Sequence, residues 1–157
     1  MPEVKLTWIP ADPVFAKGID RYIRDADRQE LFLTSGRDPE PLLKECIEMS
    51  DQSWVVMING NFGALLGIGK GTLLGSGGQP WLVASSEVEK IPCLFVEKSR
   101  LVVEEMGQEY GRLYNLVWDG HTAAKRWLRA VGFTLGEPQP YGLFQAPFRP
   151  FWRNPLV

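Results

Sequence analysis

The sequence predicts one α/β domain: a mixed, mostly antiparallel twisted sheet with helices on both faces. Three observations predict it. Strand-like and helix-like segments follow one another in the order β-α-α-β-β-β-α-β-α-β-β. Two apolar runs meet at Asn59-Gly60, the strongest two-residue hairpin signal in the chain. In the second half a strand, a helix and another strand succeed one another, which implies a parallel pair joined by a right-handed crossover. At 157 residues, 45% hydrophobic and 23% charged, the chain is long enough and apolar enough to bury one core.

Val4-Lys5-Leu6-Thr7-Trp8-Ile9 alternates, with Val4, Leu6 and Trp8 on one face, and Pro10 ends this first strand. Asp12-Pro13 opens a helix, Asp as N-cap and Pro at the first helical position. Phe15, Ile19, Tyr22 and Ile23 carry it to about Arg28. The dense charge from Arg24 to Glu30 reads as a solvated helix end. Glu30 to Gly36 is ambiguous, and Ser35-Gly36-Arg37-Asp38-Pro39 is a turn. Leu42, Leu43, Cys46, Ile47 and Met49 form a second helix.

Trp54 to Ile58 and Phe62 to Ile68 are the arms of the hairpin. Residues 67–78 are glycine-rich, and Trp81-Leu82-Val83-Ala84 is a short buried strand. Pro92 opens a third helix with Leu94, Phe95, Leu101 and Val102 on one face, ending between Gly107 and Gly111. Leu113 to Trp118 reads as a strand buried on both faces. The helix from about Thr122 to Val131 carries the stripe Ala124, Trp127, Leu128 and Val131, and Gly132 is placed to end it. Strands around Phe133-Thr134-Leu135 and Gly142-Leu143-Phe144-Gln145 complete a domain over residues 1–145. Residues 146–157, rich in proline and aromatics, read as an arm outside the sheet.

A formal net charge of −2 gives no long-range attraction to nucleic acid or anionic lipid. No stretch is apolar for long enough to span a bilayer. Met1-Pro2-Glu3-Val4-Lys5 shows no signal-peptide pattern, so a cytoplasmic location is expected. Cys46 and Cys93 are far apart, and His121 is the single histidine, so no metal site is expected. Gly67-Ile68-Gly69-Lys70-Gly71-Thr72 fails as a phosphate loop, because Gly71 separates Lys70 from Thr72. No Gly-x-Ser-x-Gly supports serine chemistry, and no catalytic residue is assigned.

The stretch Leu116-Val117-Trp118-Asp119-Gly120-His121 through Ala124, Trp127-Leu128 and Gly132-Phe133 resembles the fifth strand and fourth helix of the GNAT acetyltransferases. Ala124 and Gly132-Phe133 match that family's pattern; His121, Trp127 and Leu128 stand where it has Asn, Leu and Tyr. The Tyr serves there as general acid, a role Leu128 has no proton to fill. Over about residues 4–145 the chain also resembles small GNAT-like proteins encoded near virion-structure genes of short-tailed phages. The features are Ala26-Asp27-Arg28-Gln29-Glu30 with Ser35-Gly36, Met57-Ile58-Asn59-Gly60, Pro80-Trp81-Leu82-Val83 and Tyr114-Asn115-Leu116-Val117-Trp118.

GNAT enzymes hold the pyrophosphate of acetyl-CoA with a glycine-rich loop opening their third helix. Here that connection is Ser85-Ser86-Glu87-Val88-Glu89-Lys90-Ile91-Pro92, with no glycine and two glutamates. The resemblance therefore implies a non-catalytic phage protein without a cofactor, acting through other virion proteins in assembly or as an internal or minor virion component, in the host cytoplasm or the particle. The alternative is an N-acetyltransferase with an atypical cofactor loop. Acetyl-CoA would then pair with Val83, Ala84 and Ser85 and emerge near His121. A third reading is a host-directed inhibitor made early in infection. Phe148, Phe151 and Trp152, interleaved with arginines and prolines, suit either a docking arm for a partner or a segment folded over its own domain.

Overall fold

A computed structural model describes residues 3–70 and 77–155. Asn59 and Gly60 both have positive φ (49° and 83°), the twist that lets a two-residue turn join adjacent strands. The turn sets β2 (Gln52–Ile58) against β3 (Asn61–Lys70). On the outer side of β2 lies β1 (Leu6–Pro10), and on the other side of β3 lies β4 (Gly78–Ala84), both antiparallel. From β4 the chain crosses through α3 (Pro92–Tyr110) to β5 (Leu113–Trp118), the parallel partner of β4. Helix α4 (Thr122–Ala130) follows, then β6 (Thr134–Leu135), β7 (Gln139–Tyr141) and β8 (Ala146–Arg153). Among the described residues the strands form one sheet, in the order β1-β2-β3-β4-β5-β8-β6, with β7 also on β8.

Helices cover both faces, as the sequence predicts. On one face Val56, Leu66 and Ala84 meet Val103 and Met106 of α3 and Leu128 of α4. On the other, Val55, Leu65 and Val83 meet Ile19, Ile23, Leu43 and Ile47. This second layer holds α1 (Asp25–Ser35) and α2 (Pro39–Met49). Leu43 and Ile47, one turn apart on α2, are both buried. Each such side chain is worth about 1.5–3 kcal/mol.

The structure corrects the sequence reading at three places. Asp12 does cap a helical turn, its side chain accepting from Val14 N–H at 3.0 Å. That turn is only a 3-10 segment, Pro13–Ala16, because Gly18 takes a left-handed conformation (φ 72°) and breaks the run. The first α-helix starts only at Asp25, so Asp25 to Glu30 is its beginning and not a solvated end. Residues 142–145 turn between β7 and β8 instead of forming a strand.

The third correction is the largest. The boundary expected at residue 145 does not divide the chain: β8 lies inside the sheet, against β5 on one side and β6 and β7 on the other. Pro147 and Pro150 argued for an extended arm, since proline cannot donate to a ladder. Their positions absorb the loss. In a strand a residue's N and C=O point the same way. The Pro150 carbonyl accepts from Gly136 N–H at 2.8 Å, so its ring nitrogen faces the break between β6 and β7. The Pro147 carbonyl accepts from Asp119 N–H at 2.9 Å, so its nitrogen faces the turn beyond the end of β5. Phe148 and Phe151 are core residues and Trp152 is half-buried.

Gly67, Gly69 and Lys70 belong to β3, while Gly71 and Thr72 lie outside the described residues. Gly67 has a packing reason: a Cβ there would sit 2.7 Å from the Trp81 indole.

Candidate functional site

Strands β4 and β5 pair only at Gly78↔Leu113 and then part. One side chain bridges the gap near its closed end, Asn115 Nδ2 donating to the Pro80 carbonyl at 2.9 Å. Farther along, each strand has backbone groups without a neighbouring strand, and buried groups of this kind need other partners.

The start of α1 supplies them at the open end. Arg24 N–H donates to the Ala84 carbonyl at 2.9 Å, and Ala84 N–H donates to Asp27 Oδ2 at 2.9 Å. Trp118 N–H, at the end of β5, donates to Glu30 Oε2 at 2.9 Å. Asp27 and Glu30 stand three residues apart, so they share one face of α1. That helix therefore spans the mouth of the gap, one carboxylate on each strand end.

Asp27 is 3% exposed and belongs to a buried network. Arg24 Nε donates to its Oδ2 at 2.9 Å, and His121 Nε2 lies 2.6 Å from its Oδ1. His121, 1% exposed, accepts from Ala124 N–H through Nδ1 at 3.1 Å and so caps α4. With Nδ1 accepting, the ring proton sits on Nε2 and donates to Asp27. Burial pushes the Asp27 carboxyl up, but hydrogen bonds from His121 and Arg24 outweigh it and hold it below the usual carboxylate range.

Glu30 is the contrasting carboxyl. Burial drives it up to about 7. The His121 ring and the Trp118 N–H pull the other way, and Asp27 adds to the rise. Densely surrounded by protein, the side chain still keeps part of its surface, which faces a cavity of about 1040 Å³.

This cavity passes through the gap and joins the two faces of the sheet. Leu31, Leu42 and Leu43 line it on the α1–α2 side, and Phe95, Val96, Val103 and Trp127 on the α3–α4 side. Since the Ala84 N–H and C=O point into the gap, strand alternation turns those of Leu82 the same way. Leu82 lines the cavity. Arg100 of α3 and Arg126 of α4 also border it.

The connection from β4 to α3 is a 3-10 turn, Ser86–Lys90. Its glutamates are less repulsive than the sequence suggests. Glu87 pairs with Lys90 at 2.9 Å, and Glu89 lies 3.6 Å from Arg24. Its amides are largely spent: Ser85 N–H donates to the Gly63 carbonyl and Glu87 N–H to Ser85 Oγ. No side chain caps α3.

The four residues expected at a cofactor site come together at the end of β4, with their polar groups already engaged. Val83 pairs with Leu65 on the β3 side, Ala84 is held by α1, and Ser85 bonds to the first residues of β3, its N–H to the Gly63 carbonyl and its Oγ to the Phe62 carbonyl. Both ring nitrogens of His121 are engaged. Glu30 and Asp27, read from sequence as solvated, are the groups that sequence reasoning missed. The available signal was their i,i+3 spacing with Arg24 preceding Asp27 by three. Among the described residues no cluster of His, Cys, Asp and Glu could hold a metal, and no helix is long and apolar enough to cross a membrane.

A mixed sheet that opens between its fourth and fifth strands, with two helices on each face, is the GNAT acetyltransferase fold. Solved structures establish it. The Ard1 protein of Thermoplasma volcanium superposes with a TM-score of 0.69 at 14% identity, covering 97% of this chain and 99% of that one. The ribosomal-protein-S5-alanine acetyltransferase of Vibrio fischeri gives 0.66 at 12% identity over 96% and 93%. A spermidine N-acetyltransferase chimera of Vibrio cholerae SpeG and hSSAT gives 0.67 at 10% identity over 95% of each chain. No protein-family model and no curated protein sequence matches the chain.

Proposed function

We propose that the chain is an N-acetyltransferase that takes acetyl-CoA from the α3–α4 side and an amine from the α1–α2 side. The observation that carries this reading is the cavity through the β4–β5 gap, which gives two reactants access to one point from opposite faces of the sheet. The shared fold supports it. The Leu82 edge fits an amide-bearing chain such as pantetheine, and the apolar wall of Phe95, Val96 and Trp127 fits its aliphatic parts. Arg100 and Arg126 supply cations for the phosphates in place of a glycine cradle. Acetyl-CoA supplies the activated acyl group; the protein holds it, aligns the amine and excludes water. Calorimetric titration tests the reading: saturable binding in the micromolar range supports it, and no heat at millimolar acetyl-CoA refutes it.

Two specific observations favour a second reading. The Ala84 amide is occupied by Asp27, and Leu128 stands where the resembled enzymes have a general acid. These features suit a scaffold without chemistry, a phage virion protein acting through protein contacts. Phe148 and Phe151 are buried, so the contact face would be the exposed cluster of Phe32, Leu143 and Phe144. Presence in purified particles together with no acetyl-CoA binding would favour this reading.

A further inference from the structure

From the placement of Glu30 we infer that its carboxylate is the proton acceptor for a primary amine carried on an apolar body, entering from the α1–α2 face. The inference rests on the acetyltransferase reading and adds to it a catalytic residue and a class of acceptor.

Four observations carry it. Glu30 lines the cavity where it crosses the sheet, between the ends of β4 and β5. Its Oε2 is fixed by the Trp118 N–H, which orients the carboxyl and leaves Oε1 for an incoming group. The other candidates are engaged: Asp27 is closed in by Arg24, His121 and Ala84, and His121 by Asp27 and Ala124. Finally, the approach from this face is lined by Leu31, Leu42, Leu43 and Tyr141.

The charged and titratable groups facing Glu30 are few. Helix α1 and its cap bring Asp27 and Arg24, and α4 brings His121. Along the approach, α2 adds the Cys46 thiol, which burial pushes up and keeps neutral, and β7 adds the Tyr141 phenol. A carboxyl titrating near 7 is matched to proton transfer at neutral pH. In the step, the carboxylate takes one proton from R–NH3+. This leaves the nucleophilic R–NH2 and a neutral carboxyl, which loses its proton to solvent once the product has left. A second ammonium on the acceptor would meet the leucines with no free carboxylate to pair with, so the body of the acceptor is apolar.

The test compares wild type with Glu30→Gln and Glu30→Asp, using tryptamine and spermidine as acceptor probes. Expected are unchanged acetyl-CoA binding by calorimetry in all three proteins and a 10²–10⁴-fold slower transfer in Glu30→Gln. The acid limb of the rate profile near pH 7 should be lost in Glu30→Gln and kept in Glu30→Asp. Tryptamine should be preferred over spermidine by at least tenfold. Carbon-13 NMR of the Glu30 carboxyl gives a readout independent of turnover: its titration midpoint near 7 should fall on adding tryptamine without acetyl-CoA. A Gln variant that retains rate and limb, a midpoint near 4.5, or a preference for spermidine overturns the inference. Loss of acetyl-CoA binding in wild type is distinguishable, since it removes the enzymatic reading itself.

Discussion

Replacing Glu30 by Gln should make the protein more stable at alkaline pH and leave it nearly unchanged at acid pH. The folded state raises this carboxyl from 4.5 to about 7. A shift of one pH unit corresponds to about 1.4 kcal/mol, so the rise amounts to about 3 kcal/mol. The sign follows from proton binding. The folded protein holds this proton more tightly than the unfolded chain, so the stabilisation is fully present below pH 4.5 and is lost as pH rises through 7. Gln stays neutral throughout, and its side-chain oxygen still accepts from the Trp118 N–H. Stability of the variant minus wild type should therefore be near zero at pH 4.5 and about 3 kcal/mol at pH 8.5. At this chain length that corresponds to about 6–12 °C in Tm. Urea unfolding across this pH range, read by tryptophan fluorescence, measures it. A difference that stays flat with pH would refute the claim that burial sets the Glu30 proton affinity.

Asp27→Ala should cost about 3–5 kcal/mol in urea unfolding at pH 7, because His121, Arg24 and the Ala84 N–H all lose a buried partner. In wild type the Asp27 contribution is present above the ordinary carboxylate range and should fade as pH drops through its lowered value. Deleting residues 146–157 removes β8 and the buried Phe148 and Phe151, so the chain should lose its cooperative thermal transition; an unchanged Tm would contradict the placement of β8. Glu87→Gln with Glu89→Gln should tighten acetyl-CoA binding by about 3–30-fold at low salt, since each carboxylate near a phosphate costs roughly 0.3–1 kcal/mol; weaker binding would place the phosphates elsewhere.

Much of the fold was readable because each local signal agreed with the tertiary outcome. Asn59-Gly60 demands positive φ, and the Ala124–Val131 stripe has a helical period. The failures share one cause: tertiary partners made good a local deficit. Pro147 and Pro150 look incompatible with a central strand until their nitrogens fall at a break in β6–β7 and at the end of β5. Arg24, Asp25, Asp27, Arg28 and Glu30 look like a solvated run. Helical phase separates them: Arg28 turns to Asp20 and Asp25 outside, while Asp27 and Glu30 turn inward to strand ends 57 and 88 residues away. Composition cannot reveal that separation, since it depends on where β4 and β5 part. His121 caps α4 locally, but its bond to Asp27 links residues 94 apart and leaves no local trace.

The account stands on a ligand lying along the free edge of β4 in the opened sheet. An amide NMR titration with acetyl-CoA addresses that edge residue by residue. The prediction is a saturable shift of the Leu82 amide with none at Gly69, at the opposite end of the ladder. Unshifted Leu82 at millimolar acetyl-CoA would contradict it.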